Sequence, residues 1–100
     1  MVQAYRPDLE VHLSVDLSAQ NRGFVTRQVQ AFDFAKLIRE AKSFGAAYGV
    51  QKKFCQMVYN DSEGWVAVGN ENDLELAYSF AARSENTIIF NIISNRNQPK

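Results

Sequence analysis

The chain has 100 residues, of which 46% are apolar, and its 11 basic and 11 acidic residues cancel to a net charge of zero. This length corresponds to one domain, and the lack of a basic excess argues against nonspecific binding to nucleic acid. Its single cysteine, Cys55, excludes an internal disulfide. Because the sequence has neither a signal-like start nor an apolar run long enough to span a membrane, we expect a cytoplasmic protein.

The first half of the chain predicts two strands followed by a helix. Apolar and polar residues alternate strictly over residues 9–17, which indicates a half-buried strand. A turn-rich segment follows, and residues 23–30 predict a second strand that completes a hairpin. Asp33 is the expected N-cap of a helix with apolar residues at helical spacing. We expect that helix to end at Gly45 or Gly49.

The second half predicts two short strands, a helix and a last strand. Residues 54–59 and 65–68 form the strands, and Asn72 is the expected N-cap of the helix, with Glu75 at its third position as in a capping box. Residues 87–93 are continuously apolar and β-branched, which is typical of a central strand covered on both faces, or nearly so. The order ββαββαβ predicts an α+β roll with two helices and a mixed sheet.

Charge is unevenly distributed along this chain. The segment between Phe54 and Ala82 has five acidic residues and no Lys or Arg, so the remainder carries a charge of +5. Clustered like charges repel, and a fold that keeps them together usually uses the resulting field. We interpret the cluster as a docking surface for Lys and Arg of another protein, although such residues can also serve only to stabilise a helix start and keep a surface hydrated. The five residues are Asp61, Glu63, Glu71, Asp73 and Glu75.

The element order and the position of these acids resemble the PB1 domain family, which has a ubiquitin-like β-grasp fold. The family's motif Tyr-x-Asp-x-acid-Gly corresponds to residues 59–64, and its acid-rich helix start corresponds to residues 71–77. The family has an acidic residue directly after the glycine, where this chain has Trp65. Trp65 faces either the core or an interface, and we expect it to pack in the core because apolar residues alternate around it.

The resemblance covers residues 9–94 of the chain. By the same comparison, residues 1–8 are an N-terminal extension, and the polar residues 95–100 are the start of a linker within a longer protein. These limits are expectations from composition and from the extent of the motif.

The resemblance implies a function in protein–protein interaction. PB1 domains pair front to back, so an acidic face on Asp61, Glu63, Glu71, Asp73 and Glu75 would bind the basic face of another PB1 domain. The parent protein would be a cytoplasmic scaffold or signalling protein, such as a sequestosome-like autophagy scaffold.

Two alternatives follow from the same topology. The family's basic face corresponds here to His12, Arg22 and Arg27, and a chain with both faces would self-assemble head to tail. A ubiquitin-like or Ras-association-type binding domain is the other alternative, but the former would need a Gly-Gly tail to be conjugated and the latter a basic strand.

The residues of this sequence fit neither a metal site nor a catalytic site well. With Gly64 at the sixth position of a calcium loop, Tyr59 and Asn70 would occupy the first and twelfth positions, where Asp and Glu are needed. One Cys and one His are too few ligands for zinc. Cys55 and His12 could in principle form a nucleophile–base pair, but both are predicted in mid-strand. We therefore expect no enzyme activity, no metal and no cofactor.

Overall fold

A computed structural model describes residues 9–17 and 21–94 of the chain. In order, these residues form β1 (Glu10–Asp16), β2 (Phe24–Val29), α1 (Phe34–Ala46), a 3₁₀ turn (Lys52–Phe54), β3 (Cys55–Asn60), β4 (Trp65–Val68), α2 (Glu71–Ala82) and β5 (Thr87–Ser94). Within the described ranges, no helix is long and apolar enough to cross a membrane. The expectations for residues 1–8 and 95–100 lie outside the described residues.

The described strands form one five-stranded mixed sheet in the order β2-β1-β5-β3-β4. The β1 and β5 strands are parallel, and the other neighbouring pairs are antiparallel. With two helices in the order ββαββαβ, this arrangement is a ubiquitin-like β-grasp. The α+β fold predicted from the sequence is therefore confirmed, as is the central position of β5.

The core lies between the sheet and the two helices. Alternation in β1 turns Val11, Leu13 and Val15 to the helix side, where all three are buried, as the pattern predicted. Leu37 of α1 and Leu74 of α2 are fully buried against the same face. Each buried aliphatic side chain of this size stabilises the fold by about 1.5–3 kcal/mol, so both helices are held by packing on this one side of the sheet.

The start of α1 agrees with the sequence prediction, and its end differs in detail. The Asp33 carboxylate accepts a hydrogen bond of 2.9 Å from the Lys36 N–H, which makes Asp33 the N-cap. The helix passes through Gly45 and ends at Ala46, with Gly49 in the following turn at a φ of 97°. Gly45 is buried inside the helix instead of ending it.

The prediction of Asn72 as the N-cap of α2 is wrong. The cap is Asn70, whose side-chain oxygen accepts a 2.8 Å hydrogen bond from the Asp73 N–H. Asp73, and not Glu75, is therefore the third helical residue, and its carboxylate accepts a 2.9 Å bond from the Gly69 N–H. Asn70-x-x-Asp73 has the same spacing as the pair expected from the sequence, so the signal was present but was assigned two residues too late.

The sheet has a second face, opposite the helices, which we call the outer face. The expectation that β5 is covered on both sides is wrong, because Ile89 and Ile93 on the outer face are 48% and 40% exposed. The expectation that Trp65 packs in the core is also wrong, since Trp65 is 62% exposed. Trp65 pairs with Asn60, whereas Tyr59 turns to the core, so the two-residue alternation of the strands puts the indole on the outer face.

Gly45 provides a test of the packing between α1 and β5. Replacing glycine by alanine inside a helix normally stabilises it by about 1 kcal/mol. Here an added Cβ would lie 3.0 Å from Ile92 Cγ2 and 3.2 Å from Val50 Cβ, and both neighbours are in the core. Overpacking costs about 1–3 kcal/mol, so we expect Gly45→Ala to lower the free energy of unfolding in urea.

The exposed neighbour Ala46 supplies the control for this test. Ala46→Gly changes helix propensity without adding an atom, and we expect it to cost at most about 1 kcal/mol. A higher urea midpoint for Gly45→Ala would contradict the tight packing described here.

Candidate functional site

The first group of acidic residues lies in the loop between β3 and β4. Asp61 Oδ1 accepts a 2.9 Å hydrogen bond from the Glu63 N–H, and Asn60 Oδ1 accepts a 2.8 Å bond from the Ser62 N–H. The Asp61 N–H donates to the Gly64 carbonyl at 3.1 Å, which closes the loop. Asp61 is half-buried, whereas Glu63 is exposed. The loop therefore holds the Asp61 carboxylate in place and leaves the Glu63 side chain in solvent.

The second group lies at the start of α2. Glu71 and Asp73 are in the first turn, where the helix dipole and free N–H groups favour negative charge by about 0.3–1 kcal/mol each. Glu71 Oε1 also accepts a 2.9 Å hydrogen bond from the Phe34 N–H, the first residue of α1. This bond joins the starts of the two helices across 37 positions of sequence. No sequence pattern signals it, because the two residues become neighbours only through the fold.

The two groups meet at Tyr59. The Tyr59 side chain is only 5% exposed and lies among the rings of Phe80 and Phe90, at centroid distances of 5.8 and 6.0 Å. Burial raises the pKa of its phenol, and the negative charges of Asp61 and Asp73 raise that pKa further. The loop and the helix start thus both contribute negative charge to the corner around this phenol.

The five acidic residues are not all directed to that corner. Successive residues of an α-helix are rotated by about 100°, so Glu71 and Glu75 share one side of α2 while Asp73 points away from them. Glu71 is directed to the start of α1 through its bond to Phe34, and Glu75 is half-buried. We name Asp61, Glu63 and Asp73 the acidic corner, because the charges of Asp61 and Asp73 act on Tyr59 and Glu63 is the exposed neighbour of Asp61 in the loop.

The acidic corner is not neutralised by cations of the described part of the chain. Among residues 9–17 and 21–94, no Lys or Arg forms an ion pair with Asp61, Glu63 or Asp73. Within the same ranges, no three His, Cys, Asp or Glu side chains are grouped to hold a metal ion. The charges of these carboxylates are therefore not compensated by an ion pair within the described residues.

The candidate basic residues are dispersed. His12 is on the outer face, where its Nε2 lies 2.9 Å from Glu10 Oε2. Arg27 pairs with the buried Leu13 across β1 and β2, which places it at the edge of the helix side. Arg22 is exposed in the turn before β2. The structure therefore does not bring His12 and Arg27 together on one face of the sheet.

The sheet also separates Cys55 from His12. Cys55 is on the same side of β3 as the buried Met57 and packs against the core, whereas His12 is on the outer face. Burial raises the pKa of the Cys55 thiol, and the nearby charge of Lys42 opposes that rise. A reactive cysteine needs a lowered pKa and a base within reach. The nucleophile–base pair considered from the sequence is therefore not formed.

Comparisons with known proteins give a limited result. No protein-family model matches the chain, and no curated protein matches it significantly. One solved structure that it resembles is titled "AtNBR1-PB1 domain", with 14% identity and a TM-score of 0.49, over 86% of this chain and 98% of that one. The fold assigned above rests on the strand order and pairing of this chain, and not on that likeness.

The convergence of the two acidic groups predicts a change in the titration of Tyr59. We expect Asp61→Asn and Asp73→Asn each to lower the Tyr59 pKa, with a larger decrease in the double variant, because each removes a negative charge near the phenol. Asparagine can still accept the loop and cap hydrogen bonds. Carbon-13 NMR of labelled tyrosine rings, followed against pH, resolves Tyr59 from the other tyrosines.

Glu63→Gln is the matched control, since Glu63 does not contribute to the Tyr59 shift. Because the pKa of Tyr59 is raised in the folded state, its contribution to the free energy of unfolding is fully present below the ordinary tyrosine pKa of about 10. This contribution is lost as the pH rises through the pKa of Tyr59 in the folded state, because the tyrosine of the unfolded state loses its proton at a lower pH. A Tyr59 pKa that is unaffected by both Asp substitutions would show that the two groups do not converge.

The bond from Phe34 to Glu71 predicts a structural role for one of the acidic residues. Glu71→Ala removes the acceptor of an N–H at the start of α1 and a favourable charge at the start of α2. We expect a loss of about 1 kcal/mol in the free energy of unfolding, measured in urea. Glu63→Ala, which removes an exposed acid without a described hydrogen bond from its side chain, should change stability little. Equal effects of the two substitutions would contradict this assignment.

Proposed function

We propose that this domain is a protein-interaction module of the PB1 type, and that its acidic corner binds the basic face of a PB1 domain in another protein. The observation that carries the proposal is that hydrogen bonds of the β3–β4 loop and of the α2 start hold the Asp61 and Asp73 carboxylates in place, with no Lys or Arg of the described residues paired to them. The strand order of the β-grasp supports the same class.

In this proposal a lysine or arginine side chain of the partner lies between the loop and the helix start and is attracted by carboxylates from both elements. Arginine can bond to a carboxylate in a bidentate manner. The corner borders on the aromatic cluster of Tyr59, which excludes water on one side. Close charge pairs across protein interfaces couple by about 1.5–7 kcal/mol, whereas exposed pairs at the rim contribute little.

The acidic residues have different roles in this proposal. Asp61 and Asp73 form the fixed centre, because loop and cap hydrogen bonds orient them before a partner arrives. Glu63 is exposed beside them and extends the field. Glu71 and Glu75 form the outer part of the acidic face, with Glu71 also holding the two helix starts together. Pre-oriented carboxylates reduce the ordering cost of binding.

Binding of a different protein is favoured over self-assembly. Glu10 lies against His12, which reduces the positive field that a head-to-tail contact would need. Arg27 is on the other side of the sheet. We therefore propose a one-sided module in a cytoplasmic scaffold or signalling protein, with autophagy scaffolds as the parent class suggested by the motif.

Charge reversal tests the proposal. The probe is a panel of isolated PB1 domains that have a lysine on the outward side of the first strand, each paired with its Lys→Ala version. We expect Asp61→Lys combined with Glu63→Lys to weaken binding to a matching domain by at least about tenfold, since one close charge pair exceeds about 1.5 kcal/mol. Calorimetric titration gives the affinity, and circular dichroism checks that the fold is retained.

Glu85→Lys is the control, because Glu85 is exposed in the turn after α2 and the change reverses the same kind of charge. We expect it to leave affinity nearly unchanged. The proposal would be rejected if the Lys→Ala domains bound as well as their parents, or if Glu85→Lys weakened binding as much as the loop variant.

A further inference from the structure

The sheet has a free edge that the acidic corner does not explain. The two edge strands are β2 and β4, and β2 pairs only with β1. Among residues 9–17 and 21–94, no other segment forms backbone hydrogen bonds with β2. An edge strand presents a row of unpaired N–H and C=O groups, which are a template for another strand. The edge of β2 is therefore open to pairing with an added strand.

The hydrogen bonds of β1 show which backbone groups of β2 point outward. Successive residues of a strand bond alternately to its two sides. The Leu17 N–H bonds to the Gly23 carbonyl on the β2 side, and the Glu10 N–H bonds to the Asn86 carbonyl on the β5 side. The odd-numbered residues of β1 therefore face β2, and their partners there are Val25, Arg27 and Val29. The residues of β2 whose backbone N–H and C=O groups point away from the sheet are Phe24, Thr26 and Gln28.

The β2 strand lacks most of the features that protect such an edge. Natural edge strands are often very short, or contain lysine, proline or a bulge. The register with β1 is unbroken over the 6 residues of β2, which include neither lysine nor proline. The opposite edge strand, β4, has only 4 residues. The β2 strand is thus the edge that offers the longer template.

The side chains of β2 on the helix side indicate which strand would fit. Val25 and Val29 are partly buried against the core, and Arg27 is exposed between them. No acidic residue of the described ranges forms an ion pair with Arg27. Cross-strand neighbours stabilise a sheet when both are apolar or when their charges are opposite. A strand with an acidic residue two positions away from an apolar residue on either side would match these three side chains.

A second copy of β2 matches this edge less well. Antiparallel pairing of two copies about the centre of β2 would place the two Arg27 side chains opposite or diagonal to each other. Like charges so close across a sheet are destabilising. A segment of another protein that has a carboxylate at this position would be complementary.

We propose that the free edge of β2 adds an extended segment of another protein with the pattern apolar-x-acid-x-apolar, in which x is any residue. Its backbone would bond to the outward N–H and C=O groups of β2. Its acidic residue would pair with Arg27, and its apolar residues would lie beside Val25 and Val29. Main-chain bonds would supply affinity and the three side chains specificity. The acidic corner is formed by other elements and binds cations, so the two surfaces act independently.

A short peptide of that pattern tests the proposal. The probe is Ser-Val-Ser-Glu-Ser-Val-Ser, which reads the same in either strand direction, and its counterpart has lysine in place of glutamate. We expect the glutamate peptide to move the amide proton NMR signals of Thr26 and Gln28 downfield with saturation, because these N–H groups enter hydrogen bonds. The lysine peptide should bind about threefold or more weakly, because it replaces an attractive pair by a repulsive one.

Matched substitutions locate the contact. Thr26→Pro removes an outward N–H that β1 does not use, and proline is tolerated at such edge positions. We expect it to abolish saturable binding, whereas Thr26→Val keeps the N–H and should bind like the wild type. Arg27→Glu should reverse the preference between the two peptides, and this exposed change tests the same contact if Thr26→Pro does not fold. Asp73→Asn should leave both affinities unchanged, which separates this edge from the acidic corner.

Several results would overturn the proposal. These are unmoved amide signals in β2, equal affinities for the two peptides, an unchanged preference in Arg27→Glu, and a loss of binding in Thr26→Val as large as in Thr26→Pro. Light scattering provides a further check without peptide. A dimer that Thr26→Pro dissociates would show that a second copy occupies the edge, and would also overturn the proposal.

Discussion

The pairing of Asn60 with Trp65 across the β3–β4 hairpin determines which side of the sheet each of the two hairpin aromatic residues faces. Because side chains alternate along a strand, this register sends Tyr59 into the core and Trp65 to the outer face. The Tyr59 phenol then lies where the loop and the helix start place Asp61 and Asp73. A slip of one residue would reverse the side that each of these strand residues faces, so that the Tyr59 phenol would leave the core.

The start of α2 combines stability with charge. The Asn70 side chain accepts a hydrogen bond from the Asp73 N–H, and the Glu71 side chain accepts one from the Phe34 N–H. The Asp73 carboxylate accepts a third from the Gly69 N–H. Three residues of one short segment thus fix the starts of both helices and the end of β4. Repulsion between Glu71 and Asp73 is offset by these hydrogen bonds and by the helix dipole. The two acids can therefore share one helix turn without an ion pair to a Lys or Arg of the described residues.

The acidic corner and the outer face differ in physical character. The corner consists of carboxylates, whose field is screened by salt. The outer face has partly exposed aromatic and aliphatic side chains, which are Phe24, Trp65, Ile89 and Ile93, and a contact there would gain mainly from the burial of apolar surface.

The sequence by itself determined the order of the elements, the Asp33 cap, the buried stripe of β1 and the central place of β5. These features depend on local propensity or on a clear alternation of apolar and polar residues. Charge segregation was equally readable, because counting residues requires no structure. The Asn70 cap could also have been found, since its spacing to Asp73 is a local signal.

Only the tertiary structure decided which acids meet and which apolar residues remain outside. The bond between Phe34 and Glu71 joins distant parts of the chain, and the charges of Asp61 and Asp73 act on the same Tyr59 phenol only in the folded domain. In β4 and β5 both sides of the strand are apolar, so the sequence pattern does not reveal which side faces the helices. That choice depends on register and on where two helices can pack, and both are properties of the whole fold.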